Sequence, residues 1–393
     1  MTSPRTTTAE PASSIRDAAG GIVALTLATF AAITTEMLPV GLLPQIGDAF
    51  DVSDGTVGLL VTVYAFMVAA LALPLTLGTR RLPRKGLLLT TLLAYTVSDT
   101  VVAVAPAFGV VAGARALGGV AHALFFSLSI GYAARLVRPH LTGRAMALVT
   151  AGASAGFVLG VPLSTTLGTA VGWRLAFGVL AGVCLLTTVL VAAFLPPVES
   201  DTAHTAPVAG RRPQLATAVT TNAVVYLGQY VVYTYVAVLL LHAGISESGV
   251  GPVLLGIGAL GLLGLWFSAA RLDVAPRRTA ILVLAVLAAS LAALALAFPS
   301  RGGVLASTAV WGASFGAVAS IFQTAAVRTR GASPDVAGAL VNATANVGIG
   351  GGAALGALVL DRRGLGTLPW LGAALVAAGL VIVLVGRRAF PPA

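Results

Sequence analysis

Glu36 is the only charged residue in the stretch TTEMLPVGLLPQI, residues 34–46, and it is the first candidate for chemistry. A carboxylate near the middle of a membrane helix costs roughly 2.5–3.5 kcal/mol on insertion scales. It is therefore expected to face a partner or a water-filled cavity, where gain and loss of a proton can couple ion movement to another event. Pro39, Gly41 and Pro44 follow, so the helix is expected to bend or partly unwind just beyond the acid.

Asp99 and Arg115 are two further charges inside apolar stretches. At a rise of 1.5 Å per residue, Asp99 lies roughly 9 Å, Arg115 about 13 Å and Glu36 about 15 Å from the predicted outer ends of their helices. Because an unpaired buried charge is costly, these similar depths predict a mutual network of Glu36, Asp99 and Arg115. The network is a candidate for proton coupling.

His122 lies seven residues after Arg115 on the same helical face, and Phe126 is one turn further along. A histidine at this depth can relay a proton or bind a substrate, with Phe126 beside it in the substrate site. The alternative is a packing histidine that bonds a neighbouring backbone carbonyl.

The stretch TNAVVYLGQYVVYTYV, residues 221–236, carries four of the seven tyrosines. Their hydroxyl groups and the nearby amides need partners in lipid, which favours the wall of a cavity that binds an amphipathic ligand. An interfacial aromatic belt is the alternative. The candidate substrate-binding residues here are Asn222, Tyr226, Gln229, Tyr230 and Tyr233.

Asn342 and Asn346 lie four residues apart, on one face of a later helix. Their amides can line the same cavity or form hydrogen bonds between helices.

The elements that must position these residues are membrane helices. The 393 residues are 58% hydrophobic and 9% charged, with a mean hydropathy of +0.97, which excludes a soluble globular domain. Continuous apolar blocks, without the alternation of a membrane β-barrel, predict an all-α membrane protein. Cys184 is the single cysteine, so a disulfide framework and a cysteine-based metal site are excluded.

Apolar blocks of about 20 residues predict twelve membrane spans. We place them at 21–46, 54–77, 86–105, 107–136, 143–168, 173–195, 214–241, 249–270, 279–298, 303–327, 335–360 and 367–386.

The net charge of +10 comes from basic clusters between the spans, so it indicates topology rather than nucleic-acid binding. With the first residue inside, eighteen basic residues are cytoplasmic and four are external. Both termini are therefore predicted to be cytoplasmic, with the acidic loop of Asp48, Asp51 and Asp54 outside.

The predicted organisation is two six-helix bundles joined by a linker. Residues 1–20 are expected to form a disordered cytoplasmic tail, residues 21–195 and 214–388 the two bundles, residues 196–213 a cytoplasmic linker and residues 389–393 a second tail. The halves repeat at a displacement of 196 residues, as expected for transporter bundles related by an axis along the membrane normal.

The repeat is clearest in two glycine stripes. Small residues at this spacing permit close helix approach, and packing is the simpler role for each glycine. Matched stripes in equivalent helices also predict an interface that slides during alternating access. The stripes consist of Gly152, Gly156 and Gly160, followed by Pro162, and of Gly348, Gly352 and Gly356.

Several motifs resemble the Major Facilitator Superfamily, specifically its drug–proton antiporter branch. GARALGGVAHALFF (113–126) resembles the motif of span four with Arg115 embedded in the membrane, and GASAGFVLGVP (152–162) resembles the antiporter motif of span five. TEMLPVGLLPQI, RRLPRK and GWRLAF are similar to bacterial sugar-efflux and chloramphenicol-efflux proteins. The resemblance spans residues 21–388 and implies proton-driven export.

The loop after span two departs from the family pattern. It reads GTRRLPRK, with Arg80 where the family has an aspartate and Pro83 where it has a glycine, while Arg81 and Arg84 keep the basic character. The family's gating salt bridge cannot be assumed here, and Asp273 in the matching loop of the second half is a substitute to be tested.

The sequence therefore predicts a monomeric transporter in a bacterial inner or plasma membrane. It would export a small neutral or amphipathic molecule, such as a drug, antibiotic or sugar-like compound, in exchange for protons, without a cofactor, metal or nucleic acid. A uniporter or an uptake symporter on the same fold is the first alternative. An intramembrane enzyme or sensor is remote, because no HExxH, GxxxxGK[ST] or aspartate-rich prenyl-diphosphate motif is present.

Overall fold

The computed structural model describes residues 12–79, 81–198, 212–332 and 334–390. Within these ranges the chain is helical, apart from its loops and one isolated bridge between Ala12 and Val137. The predicted tails and linker lie partly outside the described residues, as does Arg80.

The prediction of twelve spans is confirmed, with ends that differ by a few residues. Long apolar helices without interior charge clusters satisfy every backbone hydrogen bond internally, which a lipid environment requires. The spans, numbered one to twelve, are Ala19–Gly41, Asp54–Gly78, Arg84–Val104, Phe108–Leu136, Thr142–Val171, Trp173–Phe194, Arg212–His242, Glu247–Arg271, Pro276–Ala297, Arg301–Arg328, Val336–Arg363 and Leu365–Val385.

Span one is shorter than predicted. It ends at Gly41, and a separate helix, Leu43–Phe50, continues toward the loop. Pro39 lies inside the last turn of span one and Pro44 in the first turn of the next helix. A proline lacks the amide hydrogen that continues a helical ladder but is well suited to a first turn, which explains a break between the two.

Spans five, seven and ten are also interrupted. Span five contains a π-helical stretch at Gly156–Gly160, and span seven breaks between Tyr233 and Val236. Span ten breaks between Phe315 and Val318. Breaks of this kind in membrane helices occur where protein or a cavity satisfies the backbone.

The twelve spans form two bundles. In the first, span one packs on spans five and six, while span four packs on spans two and three. In the second, span seven packs on spans eleven and twelve, and span nine on spans ten and twelve. We call the side of the molecule with the loop Asp48–Asp54 the acidic end, and the side with Arg81 and Arg84 the basic end.

The bundles meet on the side of the acidic end. The helix Leu43–Phe50 packs against the helix Val236–His242. Spans two and eleven are joined by a bond from the Thr62 hydroxyl to the Gly350 carbonyl at 3.0 Å. The half of span five nearer the acidic end, Val161–Val171, packs on span eight of the other bundle. The half nearer the basic end, Thr142–Ala155, packs on spans one and four of its own bundle. The seam between the bundles is therefore closed at the acidic end.

The glycine stripes lie within the bundles and not at that seam, which agrees with the predicted packing role of each glycine, whereas sliding at these contacts stays a prediction. A Cβ atom at Gly152 would collide with the Thr26 carbonyl oxygen of span one, and one at Gly160 would collide with the Thr34 hydroxyl. In the second bundle, a Cβ atom at Gly352 would lie 2.7 Å from the Leu227 carbonyl of span seven. Each stripe permits two helices of one bundle to touch, because a glycine is the residue with no Cβ.

The remaining stripe residues follow the same pattern. A Cβ atom at Gly156 would meet Ile33 and the Phe30 carbonyl of span one. Gly348 and Gly356 face span seven in the same way, against Tyr226 and Tyr235. Pro162 lies on the other side of span five, and its carbonyl is 3.0 Å from a Cβ built on Gly251 of span eight. Pro162 thus contacts the seam, unlike the glycines.

Gly152→Ala is expected to destabilise the protein by about 1–3 kcal/mol, because the new methyl group would collide with backbone that cannot move cheaply. Thermal unfolding of the purified protein in detergent measures the loss. Gly182→Ala is the matched control, since a Cβ atom there would meet nothing within 4 Å. Equal unfolding temperatures for the two variants would contradict this account of the stripe.

The basic loop after span two belongs to the first bundle, whereas Asp273, the proposed substitute for the family's aspartate, belongs to the second bundle. Arg81 is exposed, and Arg84 is the first residue of span three. Asp273 pairs with Arg328 at 3.1 Å, between spans eight and ten. This ion pair is exposed and lies within the second bundle, so it does not bridge the two bundles.

Candidate functional site

Glu36 is buried in the first bundle, with 4% of its surface exposed. Its Oε2 atom lies 3.7 Å from Nε2 of His122 on span four, too long for a good hydrogen bond but close enough for charge interaction. The other carboxyl oxygen, Oε1, has no hydrogen-bond partner among the described residues. A carboxyl group placed in this way is ready to take a proton or to bind a new donor.

His122 links Glu36 to span two. Its Nδ1 atom is 2.8 Å from the Tyr64 hydroxyl, and its ring stacks on Phe126 with centroids 4.9 Å apart and an angle of 29°. Because the two ring nitrogens have different partners, a proton accepted on one side can be matched by release on the other. Phe126 is half-buried and covers the histidine.

Among the described residues, Arg115 forms no ion pair with Glu36 or Asp99. The predicted network in which Arg115 pairs with the two acids is therefore corrected. Its Nη1 donates to the Thr35 carbonyl at 2.6 Å and its Nη2 to the Glu36 carbonyl at 2.7 Å. The guanidinium also lies over the Tyr64 ring, 4.2 Å from the centroid. The guanidinium group of Arg115 thus binds the backbone of span one. Its planar set of donors matches two successive carbonyl groups better than it matches the separate side chains of Glu36 and Asp99.

Asp99 has partners different from those of Glu36. Its Oδ2 atom accepts a hydrogen bond from the Thr35 hydroxyl at 2.9 Å and lies 3.7 Å from the Cys184 sulfur. Its Oδ1 atom has no partner within the described residues. Thr35 and Glu36 are successive residues of one helix, so their side chains point about 100° apart and reach different neighbours. The two acids therefore occupy two separate sites on either side of span one.

Sequence reasoning missed three residues of this site, namely Thr35, Tyr64 and Cys184. Tyr64 is fully buried and contacts both His122 and Arg115. A polar group in an apolar span needs a partner, so the lone tyrosine of span two was a usable signal. Nothing in the spacing indicated that Thr35 or Cys184 would meet Asp99.

The tyrosines of span seven come together with aromatic residues of span ten. Tyr226 stacks on Tyr230 with centroids 6.1 Å apart, and Tyr230 meets Tyr233 edge to face at 5.5 Å. Phe315 and Trp311 complete the cluster. Tyr226 is half-buried, whereas Tyr230 and Tyr233 are buried. The cluster reaches the first bundle, because the Tyr230 hydroxyl lies 3.7 Å from the sulfur of Met37, the residue after Glu36.

Most of the predicted amides bond within the second bundle. Gln229 is buried and accepts a bond from the Trp311 indole at 2.6 Å. Asn222 is fully buried and donates to the Val341 carbonyl and the Thr344 hydroxyl of span eleven. Asn346 donates to the Asn342 carbonyl at 3.1 Å. Asn342 itself is half-buried, which makes it the most accessible of the four.

The sequence model of the Major Facilitator Superfamily matches residues 25–333, which is more than half of the chain. The chain belongs to the Major Facilitator Superfamily. The protein is therefore a transporter rather than an enzyme, and its twelve spans make it a multi-pass membrane protein of this superfamily.

A curated relative and two solved structures agree with this assignment. The probable sugar efflux transporter of Mannheimia succiniciproducens is 29% identical over 364 residues, covering 92% of this chain and 92% of the relative. A bacterial homologue of the human lysosomal transporter Spinster, solved inward-facing and unoccupied, has a TM-score of 0.74 at 15% identity and covers 96% of this chain and 98% of its own. The human organic anion transporter TETRAN has a TM-score of 0.70 at 18% identity, covering 94% and 99%. The two structures show the superfamily fold.

Proposed function

We propose that the protein exports a small neutral or amphipathic molecule, such as a sugar-like compound or an antibiotic, in exchange for protons. The observation that carries the proposal is the pair of buried acids, Glu36 and Asp99, neither of which forms an ion pair with an arginine or lysine among the described residues. A buried carboxylate without a cation is costly, so a site of this kind holds a neutral, proton-loaded acid at least cost. The protein would then release the protons when the site rearranges.

The position of Glu36 couples the proton site to the seam between the bundles. Met37, the next residue, contacts Tyr230 of the second bundle, and the helix that follows span one packs on the helix Val236–His242. Opening the acidic end would pull these contacts apart and expose the neighbourhood of Glu36 from that side. Alternating access would thereby change the surroundings of the acid in each cycle.

The aromatic cluster supports a neutral or amphipathic substrate. Tyr226, Phe315 and Phe126 are half-buried, and each offers a ring face or edge that can pack on a sugar ring or an apolar drug. The sugar-efflux relative agrees with this class. His122 and Glu36 provide the hydrogen-bonding groups beside Phe126.

We propose that the basic end faces the cytoplasm of a bacterium, with both termini there, because an excess of basic residues favours that orientation. The end that is closed in this structure, the acidic end, would then face away from the cytoplasm. We propose that one chain suffices, because the site and the seam are built from the two bundles of a single copy.

Transport by proteoliposomes tests the proposal. A panel of radiolabelled sugars, nucleosides and phenicols is assayed with a pH gradient in each direction and with none. Uphill movement against the proton flow supports antiport. Movement with the proton flow would make the protein a symporter, and equal rates without a gradient would make it a uniporter.

Tyr226→Ala is expected to change which compounds are exported, with relative rates altered by about tenfold, because one buried ring contact is worth roughly 1–2 kcal/mol. Tyr230→Ala is the matched comparison. Since Tyr230 is buried against Met37 and Phe315, its loss is expected to lower protein abundance. Export profiles per molecule of protein distinguish the two effects, and an unchanged profile for Tyr226→Ala would contradict a substrate role.

A further inference from the structure

Pro39 stands four residues after Thr35 in span one, and this spacing matters for the backbone. In an α-helix the amide of residue 39 would donate to the carbonyl of residue 35. Proline has no amide hydrogen, and its ring pushes against that same carbonyl. The Thr35 carbonyl therefore lacks the partner that the helix would normally supply.

A buried carbonyl without a partner is costly in a membrane, so the question is what satisfies it. Nη1 of Arg115 donates to the Thr35 carbonyl at 2.6 Å, and Nη2 donates to the next carbonyl, that of Glu36, at 2.7 Å. Arg115 is fully buried and has no ion pair within the described part of the chain. The arginine of span four thus occupies the place left by the missing amide.

Thr35 is at the same time the residue that binds Asp99. Its hydroxyl donates to Oδ2 of Asp99 at 2.9 Å, while its carbonyl accepts from Arg115. One residue therefore lies between the acid and the arginine and holds each through a different group. As long as it does so, the guanidinium remains on the backbone and not on a carboxyl group.

We propose that Pro39 is a positioning residue of the proton site: by leaving the Thr35 carbonyl open, it binds Arg115 to the backbone and keeps it off Glu36 and Asp99 while they carry protons. The inference rests on the proposed function, because that function gives the acids a proton cycle. Release of Arg115 from the carbonyl would allow it to pair with an acid and favour loss of the proton.

The other charged and titratable groups around the site come from spans two, three, four, six and seven. Span two supplies Tyr64, span three Tyr95 and Asp99, span four Arg115 and His122, span six Cys184, and span seven Tyr226 and Tyr230. Arg115 is the one fixed cation among them, so its position dominates the electrostatic balance of the acids.

Labelling with dicyclohexylcarbodiimide tests the inference, since this reagent attacks protonated carboxyl groups in apolar surroundings. The full-length protein in lipid nanodiscs is labelled over about pH 5 to 9, and adducts at Glu36 and Asp99 are measured separately by peptide mass spectrometry. In Pro39→Ala the restored amide competes for the Thr35 carbonyl. We expect the midpoint of labelling of at least one acid to move to lower pH by about one unit, because a cation brought near a carboxyl group favours its ionised form.

Three comparisons make the result specific. Pro44→Ala is the matched control, because Pro44 lies in the first turn of its helix, where no helical bond is lost, and its midpoints should remain those of the natural protein. Pro39→Gly restores the amide in a more flexible chain and should shift the midpoint as Pro39→Ala does. In an Arg115→Gln background, Pro39→Ala should cause no further shift.

Unshifted midpoints in both Pro39 variants would overturn the inference. So would a shift in Pro39→Ala alone, which would assign the effect to helix straightening, or an equal shift in the absence of Arg115. Absence of labelling at both acids at every pH would overturn the inference together with the proposed proton loading. Loss of gradient-driven transport in the natural protein would overturn the proposed function, while the labelling comparison would still report on Pro39.

Discussion

Glu36→Gln is expected to abolish proton-driven accumulation of the substrate while energy-independent exchange persists. Glutamine has nearly the shape of a protonated glutamate but cannot release a proton, so the variant remains in the loaded form. A gradient of one pH unit stores about 1.4 kcal/mol per proton, enough for roughly tenfold accumulation in a one-for-one exchange. That accumulation should fall to the level observed without a gradient.

The measurement is steady-state accumulation in proteoliposomes with and without an imposed pH gradient. Counterflow of labelled against unlabelled substrate reports exchange without a gradient. Glu247→Gln is the matched control. Glu247 is exposed at the start of span eight, so this substitution makes the same chemical change at the surface of the protein. It should accumulate substrate as the natural protein does.

Asp99→Asn identifies which acid carries the proton. Asp99 is as buried as Glu36, and it also has one oxygen without a partner among the described residues. If Glu36→Gln still accumulates substrate and Asp99→Asn does not, Asp99 takes the coupling role. If both variants accumulate substrate, the acids are structural and antiport through them is excluded.

A disulfide across the seam is expected to stop transport almost completely. A Cβ atom built on Gly258 of span eight lies 3.6 Å from the Cβ atom of Val158 in span five, within the range that disulfides adopt, and 2.9 Å from the Val158 Cα atom, so the two backbones must move slightly apart to hold the bond. Val158→Cys with Gly258→Cys, in a Cys184→Ala background, should therefore form a bond on oxidation. Because these two spans belong to different bundles, the bond would hold the acidic end closed and prevent alternating access.

Transport before oxidation, after oxidation and after reduction measures the effect, with the fraction of linked protein determined on a gel after cleavage in the linker. Ala103→Cys with Gly178→Cys is the matched control, since the corresponding Cβ atoms are 4.0 Å apart within the first bundle. That bond should leave transport intact. Full turnover in protein linked between Val158 and Gly258 would rule out rocking of the two bundles about this seam.

By itself, the sequence determined the class of protein, the twelve spans and their depths. Long apolar blocks span a membrane as helices, and a rise of 1.5 Å per residue converts position in the chain into depth in the membrane. For this reason the sequence alone identifies Glu36, Asp99, Arg115 and His122 as ionisable residues that share a region of the membrane. It identifies the cluster of tyrosines in span seven in the same way.

Only the tertiary structure decided which groups touch. Thr35 and Glu36 have almost the same depth, yet they point to different neighbours, and Arg115 binds their backbone carbonyls rather than an acid. The glycine stripes illustrate the same limit, because the spacing predicts a close contact but not the partner helix. Direction around a helix axis and the choice between neighbouring helices depend on packing among segments far apart in the chain, and this information is absent from depth and periodicity alone.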